Sequence, residues 1–197
     1  MLVGALDIGG TKTMVGIADE AGRIVAQRRF PTETGNLAAH LRRCAEALSA
    51  CAAEAGPVRR LGVTMPGMVD FQRGVLLNAA FAGWRDADVR AMLEKETGIG
   101  YIRVDNDVNA CALAEMRLGH GRRLTDFIWM TVSTGVGGAV VADGRLVRGA
   151  WQCAGELGHI KVEYERPEPC PCGGVGCLEA HGSGSAIARM TRAAAAA

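Results

Sequence analysis

Three cysteines within eight residues, Cys170, Cys172 and Cys177, follow His159 by eleven positions and more, and this is the most chemically pointed pattern in the chain. Three thiolates and one imidazole make a closed tetrahedral set for Zn²⁺, of the structural rather than the catalytic kind. Gly173, Gly174 and Gly176 supply the turns that fold the sulfurs inward. His181 is a rival fourth ligand, and a redox-active thiol cluster is the alternative to metal.

Two glycine-rich turns could bind phosphate. In Asp7-Ile8-Gly9-Gly10-Thr11-Lys12 the glycines let backbone N–H groups approach an anion; Thr11 adds a hydroxyl and Lys12 a charge. Asp7 closes the preceding strand, where a carboxylate serves best to hold a hydrated Mg²⁺. The turn leads into a strand and not a helix, so this is no Walker P-loop. Ser133-Thr134-Gly135-Val136-Gly137-Gly138 repeats the feature later in the chain. Either turn alone could be a plain hairpin; two of them opening two similar units are what a phosphate gripped from two lobes requires. Between them, Val104–Glu115 runs from a strand end into a helix with four polar residues among Asp105–Asn109. Capping accounts for Asp105 or Asn106. A remaining carboxylate could accept the proton of a hydroxyl attacking a phosphoryl group.

These residues need a scaffold, and the hydrophobic periodicity outlines one. Residues 1–30 read as a three-stranded meander, and Leu37–Ala55 as an amphipathic helix closed by Gly56-Pro57. A strand over Arg60–Met65 follows, then a short hairpin around Val69 and Val75–Leu77. Next come a helix over Val89–Thr97, a strand over Tyr101–Val104 and a helix over Asn106–Leu118. Gly119-His120-Gly121 reads as a hinge, dividing a unit over 1–120 from one over 121–197. The second unit opens with another meander, Phe127–Ser133, Gly138–Ala142 and Arg145–Val147. Its irregular glycine- and cysteine-rich stretch leads to a helix over Ser183–Ala197. It begins like the first and stops early, so the expectation is a chain incomplete at its C-terminus.

Composition narrows the classes. The 197 residues carry 22 Lys+Arg against 21 Asp+Glu, a net charge of +1 without the basic footprint of a nucleic-acid binder. No apolar run nears the ~20 residues of a membrane span, and the start lacks the charged region of a signal peptide. With seven cysteines and no such signal, a reducing, cytoplasmic location is expected. Cys44, Cys51, Cys111 and Cys153 read as small buried apolar residues, and His40 and His120 as surface histidines. Twenty-seven glycines, about twice the usual share, point to backbone held in tight turns or close to a ligand.

Taken together, DIGGTK, PGMVD (Pro66–Asp70), DNDVNACALAE, STGVGGAVV, GELGH (Gly155–His159) and CPCGGVGCLE (Cys170–Glu179) resemble the ROK family of sugar kinases and related sugar-responsive repressors. The resemblance runs in family order from Asp7 to Glu179. It implies an α/β, actin-like and ribonuclease-H-like two-lobed fold with the second lobe truncated. It also implies ATP, Mg²⁺ and a structural Zn²⁺, a small-molecule sugar as partner with neither nucleic acid nor membrane, and compatibility with a homodimer. Residue by residue, Asp107 matches the catalytic base. Gly67, Asn78 and Asn106 match first-lobe sugar contacts, as do Glu156, His159 and Glu179 in the second. Asp7, Gly9, Gly10, Thr11, Lys12, Thr134, Gly135 and Gly137 fall at the nucleotide. His159, Cys170, Cys172 and Cys177 fall at zinc. Only six residues precede Asp7, which favours the kinase branch over the DNA-binding one. GALDIGGTK and PGM resemble most the members acting on the 6-hydroxyl of N-acetylglucosamine. Glucose, fructose or N-acetylmannosamine as acceptor is the alternative, as is a non-catalytic sugar-sensing module.

Overall fold

The computed structural model describes residues 1–196, so the last position of the expected terminal helix, Ala197, lies outside the described residues. Contacts divide the chain into two compact units, Met1–Ala110 and Cys111–Ala197. The division falls inside a helix, short of the glycine-flanked 119–121 segment where composition places the hinge.

In the first unit β1 (Val3–Ile8), β2 (Lys12–Ala18) and β3 (Ile24–Pro31) form the expected antiparallel meander. β4 (Arg60–Met65) then pairs parallel with β1, and a later strand, Tyr101–Asn106, pairs parallel with β4. The sheet order is β3-β2-β1-β4 and then this last strand. Alternation does the sorting: Leu6, Ile8, Val15, Ile17, Leu61 and Val63 point to one face and are buried there. Helix α1 (Leu37–Ala55) covers that face with Leu37, Leu41, Cys44, Leu48 and Cys51, spaced by three and four. Asn36 caps it by accepting from the Ala39 amide at 3.0 Å, and Gly56, at φ +114°, ends it.

Between β4 and the last parallel strand the chain forms a second sheet, β5 (Met68–Asp70), β6 (Val75–Ala79) and β7 (Trp84–Asp88), then helix α2 (Val89–Thr97). β7 has no counterpart in the sequence reading. Its only buried residue is Trp84, and Arg85, Asp86 and Asp88 face solvent, so neither apolar alternation nor β propensity marks it. The Tyr101–Asn106 strand, β8, runs without a break into α3 (Asp107–Leu118).

The second unit holds a three-stranded antiparallel sheet, β9 (Phe127–Val132), β10 (Val136–Ala142) and β11 (Arg145–Val147), in the order β11-β10-β9. Along β9, Ile128, Met130 and Val132 are exposed on one face. Two short helices close the described chain, α4 (Leu178–Gly182) and α5 (Gly184–Ala195). α4 was not expected, since five residues carry no helical period. Among the described residues no helix is long and apolar enough to cross a membrane.

Cys44 and Cys51 are buried as expected, whereas Cys111 and Cys153 are exposed. His40 is fully buried, contrary to its reading as a surface residue. The helical period alone would have put it on the inner face of α1, one residue before Leu41, but an imidazole at a core position is uncommon enough to be discounted.

Candidate functional site

Parallel pairing brings the first unit's polar residues together. β1, β4 and β8 are neighbours, with Asp7 opposite Thr64 and Thr64 opposite Asp105. Their C-terminal ends therefore present Asp7, Thr64 and the Asp105–Asp107 segment side by side, where open α/β sheets hold ligands. Thr64 Oγ1 donates to Asp7 Oδ1 at 2.9 Å. Sequence reasoning passed over Thr64; its place at a strand end just before Pro66-Gly67 was the available signal.

Asn106 is the cap of α3 and more. Its Oδ1 accepts from the Val108 and Asn109 amides at 2.9 and 3.0 Å, and its Nδ2 donates to the Gly67 carbonyl at 3.1 Å. Gly67 stands at φ +105°, and a Cβ there would meet the Asn78 carbonyl oxygen at 2.2 Å. Gly67, Asn78 and Asn106 are thus locked into one cluster beside Asp107, and Asn78 Oδ1 is buried with no hydrogen-bond partner among the described residues. Gly67→Ala is expected to cost ~1–3 kcal/mol of stability from backbone strain alone. Denaturant unfolding measures it, and a midpoint unchanged from wild type would contradict the packing.

Asp107 opens α3 with Oδ1 accepting from the Val108 amide at 3.0 Å. Burial raises its pKa above the ordinary carboxylate value; the Val108 hydrogen bond opposes this, and the Asp7 carboxylate adds to the rise. A carboxylate poised this way is suited to taking a proton.

The Gly9–Lys12 turn is a tight hairpin in which the Gly9 amide donates to the Lys12 carbonyl at 2.9 Å. Gly10 borders Phe81, and Thr11 and Lys12 are exposed. The second unit's turn, Ser133–Gly137, is held from behind by the start of α5. There the Gly184 amide and Ser185 Oγ donate to the Ser133 and Thr134 carbonyls at 2.8 and 2.7 Å. Thr134 is exposed. Glu179 Oε2 accepts from the Val136 amide at 2.9 Å and lies so close to Gly135 that a Cβ there would meet it at 2.3 Å. Glu179, expected at the sugar, is therefore also the strut of this turn.

The GELGH segment lies flush on β10. A Cβ at Gly155 would strike the Gly138 carbonyl oxygen at 2.6 Å, and one at Gly158 the Val136 oxygen at 2.1 Å. That close approach is why two glycines flank Glu156 and Leu157, and it fixes His159. The ligand atoms of His159, Cys170, Cys172 and Cys177 all lie within 4.8 Å of one another. His159 Nδ1 is 3.7 Å from Cys170 Sγ, and Cys172 Sγ is 3.8 Å from Cys177 Sγ. Tetrahedral Zn²⁺ with Zn–S of ~2.3 Å places thiolates ~3.8 Å apart, so the donor set fits zinc. His159 Nε2 faces Glu156 Oε2 at 3.9 Å, leaving Nδ1 for the metal side. Lys161 Nζ donates to Cys177 Sγ at 3.0 Å. His181 is engaged elsewhere, its Nε2 accepting from the Glu168 amide at 3.4 Å.

A five-stranded mixed sheet in the order 3-2-1-4-8, with carboxylates at the ends of its parallel strands, defines an actin-like, ribonuclease-H-like α/β protein. The ROK family profile matches residues 3–197, and the chain belongs to that family. It is 37% identical over 193 residues to a glucokinase of Halalkalibacterium halodurans, covering 94% of this chain and 57% of that protein. It is 36% identical over 192 residues to an N-acetylmannosamine kinase of Salmonella newport, covering 95% and 63%. It superposes with a TM-score of 0.81 and 34% identity on a ROK family glucokinase from Streptomyces griseus solved with glucose and AMPPNP, covering 99% of this chain and 62% of that one. The chain thus spans about three fifths of the length of these relatives.

Proposed function

We propose that the protein is an ATP-dependent sugar kinase that phosphorylates the 6-hydroxyl of a hexose, with N-acetylglucosamine as the first candidate acceptor. One observation carries the reading: Asp7, Thr64, Asn106 and Asp107 converge at the ends of three neighbouring parallel strands, with Asp107 raised in pKa. Asp107 takes the proton from the sugar hydroxyl as its oxygen attacks the γ-phosphorus. The bond from that phosphorus to the β–γ bridging oxygen breaks, and ADP leaves. Gly67, Asn78 and Asn106 orient the sugar in the first unit; Glu156, His159 and Glu179 bind its hydroxyls in the second. Asp7 would hold a hydrated Mg²⁺, which supplies charge neutralisation at the phosphates. His159, Cys170, Cys172 and Cys177 would hold Zn²⁺, which orders the segments carrying Glu156 and Glu179 without touching phosphate.

The names of the relatives support both plain and N-acetylated hexoses, while the GALDIGGTK and PGM segments favour N-acetylglucosamine. ADP release measured with glucose, fructose, N-acetylglucosamine and N-acetylmannosamine, with the product's phosphate located by ³¹P NMR, tests the reading. Binding of a sugar without ADP release from any of the four would replace the kinase by a sugar-sensing module.

Each hairpin is assigned a nucleotide contact through its threonine. Thr11→Ala and Thr134→Ala are each expected to weaken Mg·AMPPNP binding while sugar affinity stays within a few-fold. Calorimetric titration reads both; unchanged nucleotide affinity in both variants would reduce these segments to ordinary turns.

A further inference from the structure

His40 is a fully buried imidazole that the proposed reaction does not use, and its hydrogen bonds lead to the first glycine hairpin. His40 Nε2 lies 2.9 Å from Thr13 Oγ1, Thr13 Oγ1 lies 2.9 Å from Thr32 Oγ1, and Thr32 Oγ1 donates to the Gly9 carbonyl at 2.7 Å. The direction of every bond is forced. A carbonyl can only accept, so the Thr32 hydroxyl proton goes to Gly9, and Thr32 must accept from Thr13. Thr13 has then used its own proton, so it accepts from His40 Nε2–H. The bare Nδ1 takes the Glu33 amide at 3.4 Å. The ring is therefore neutral and in a single tautomer.

Thr32 also donates its amide to the Thr11 carbonyl at 3.1 Å. A trans peptide carries its C=O and N–H on opposite sides. Holding the Gly9 and Thr11 carbonyls on Thr32 therefore turns the Gly10 and Lys12 N–H groups away from Thr32. We propose that His40, Thr13 and Thr32 form a buried positioning relay that sets these two peptides so that their N–H groups are presented to a nucleotide phosphate. The relay rests on the reading of this hairpin as a phosphate site. The ring sits between Phe30 and Trp84, with centroids at 5.9 and 5.7 Å, so it has little freedom to turn. Burial lowers the pKa of His40; the Glu33 carboxylate opposes this and the Arg43 guanidinium reinforces it, and those two groups are ion-paired with each other. Protonation would put a second donor at Nδ1 against the Glu33 amide, so the lowered pKa keeps the relay intact at neutral pH.

Thr32 is only partly buried, so Thr32→Val removes the hydroxyl with little change of shape. In the ligand-free protein, exchange of the Gly9 amide, which donates to the Lys12 carbonyl at 2.9 Å, is expected to quicken at least tenfold in Thr32→Val, with exchange at Leu41 and Leu48 unchanged. Thr32→Ser, which keeps the donor, should restore the wild-type rates. Long-range ¹H–¹⁵N correlation should show His40 protonated at Nε2 alone. Hairpin exchange that is unchanged, or that quickens equally with the α1 core, overturns the relay, as does an Nδ1–H tautomer or a Thr32→Ser variant that behaves like Thr32→Val. A separate titration of Mg·AMPPNP tests the underlying reading. Wild type that fails to bind overturns the phosphate assignment while exchange still decides the relay. If wild type binds, Thr32→Val should bind at least fivefold more weakly with sugar affinity unchanged, and equal nucleotide affinity overturns the proposed purpose.

Discussion

Replacing Asp107 by Asn is expected to lower kcat by at least ~10²-fold while sugar binding stays within a few-fold, as loss of a positioned general base requires. Asn preserves the shape and can still accept from the Val108 amide through its carbonyl oxygen, so the helix start survives. What it cannot do is take a proton. The pH dependence carries a second, independent mark. The base works only when ionised, and burial, with the Asp7 carboxylate adding to it, raises its pKa from the ordinary 3.8. Activity should therefore climb with pH along a limb displaced upward from the ordinary aspartate value, and Asp7→Asn should move that limb to lower pH whatever it does to the rate. Stability follows the opposite sign. The folded protein holds this proton more tightly than the unfolded chain does. The resulting stabilisation is complete below the ordinary value and is lost as pH rises through the folded one. Near-normal turnover in Asp107→Asn, or a limb unmoved in Asp7→Asn, would remove Asp107 from the role.

Metal removal should have the next largest effect. The purified protein is expected to carry one Zn²⁺ per chain, with X-ray absorption giving thiolate ligands at ~2.3 Å and imidazole at ~2.0–2.1 Å. From Glu168 to Gly176 the backbone makes a few turn hydrogen bonds and one isolated bridge, Pro169 to Val175, but no regular ladder. Ligation must supply the rest of its order. Cys172→Ser or chelation should therefore loosen that loop and free the His159 ring, while the backbone of Glu156 stays seated on β10, and should weaken sugar binding more than nucleotide binding. Glu179 starts only two residues past Cys177, yet its tie to the Val136 amide is independent of metal, so its loosening should be partial. Less than a tenth of an equivalent of zinc in protein prepared without chelator would discard the site. Sugar binding as tight without metal as with it would discard its purpose.

Much of this was legible before any coordinate was known, because the relevant signals are local. The meander, α1, α2 and α3 follow from apolar period and from glycine and proline stops. The cysteine spacing and the two glycine turns are visible within a few residues each. What escaped depends on pairing across the chain. Thr64 had a local signal in its place at a strand end before Pro66-Gly67, but it matters because β4 lies between β1 and β8, and that order is not written in the residues around it. His40 escaped because its partner Thr13 on β2, and through it Thr32 just past the end of β3, lie 27 and 8 positions away, and a buried imidazole is credible only once those hydroxyls are in place. The glycines of GELGH could be seen as flexible, but their reason, contact with the backbone of β10, belongs to packing. β7 was invisible for a different cause, since a solvent-facing strand of Arg and Asp obeys no apolar pattern.

The outer strand β9 of the second unit's sheet has a practical consequence for anyone handling the protein. β9 pairs with β10 on one side only among the described residues, and its exposed face carries Ile128, Met130 and Val132 at 60%, 48% and 58% exposure. A bare hydrogen-bonding edge beside a row of apolar side chains is a template for another strand. Light scattering from the purified chain is therefore expected to rise more steeply than in proportion to concentration, since a net charge of +1 offers little repulsion between copies. Met130→Lys would place a charge in the middle of that row, opposite Gly138, and should flatten the curve. Storage at low concentration, and not a search for stabilising ligands, is the remedy this surface calls for.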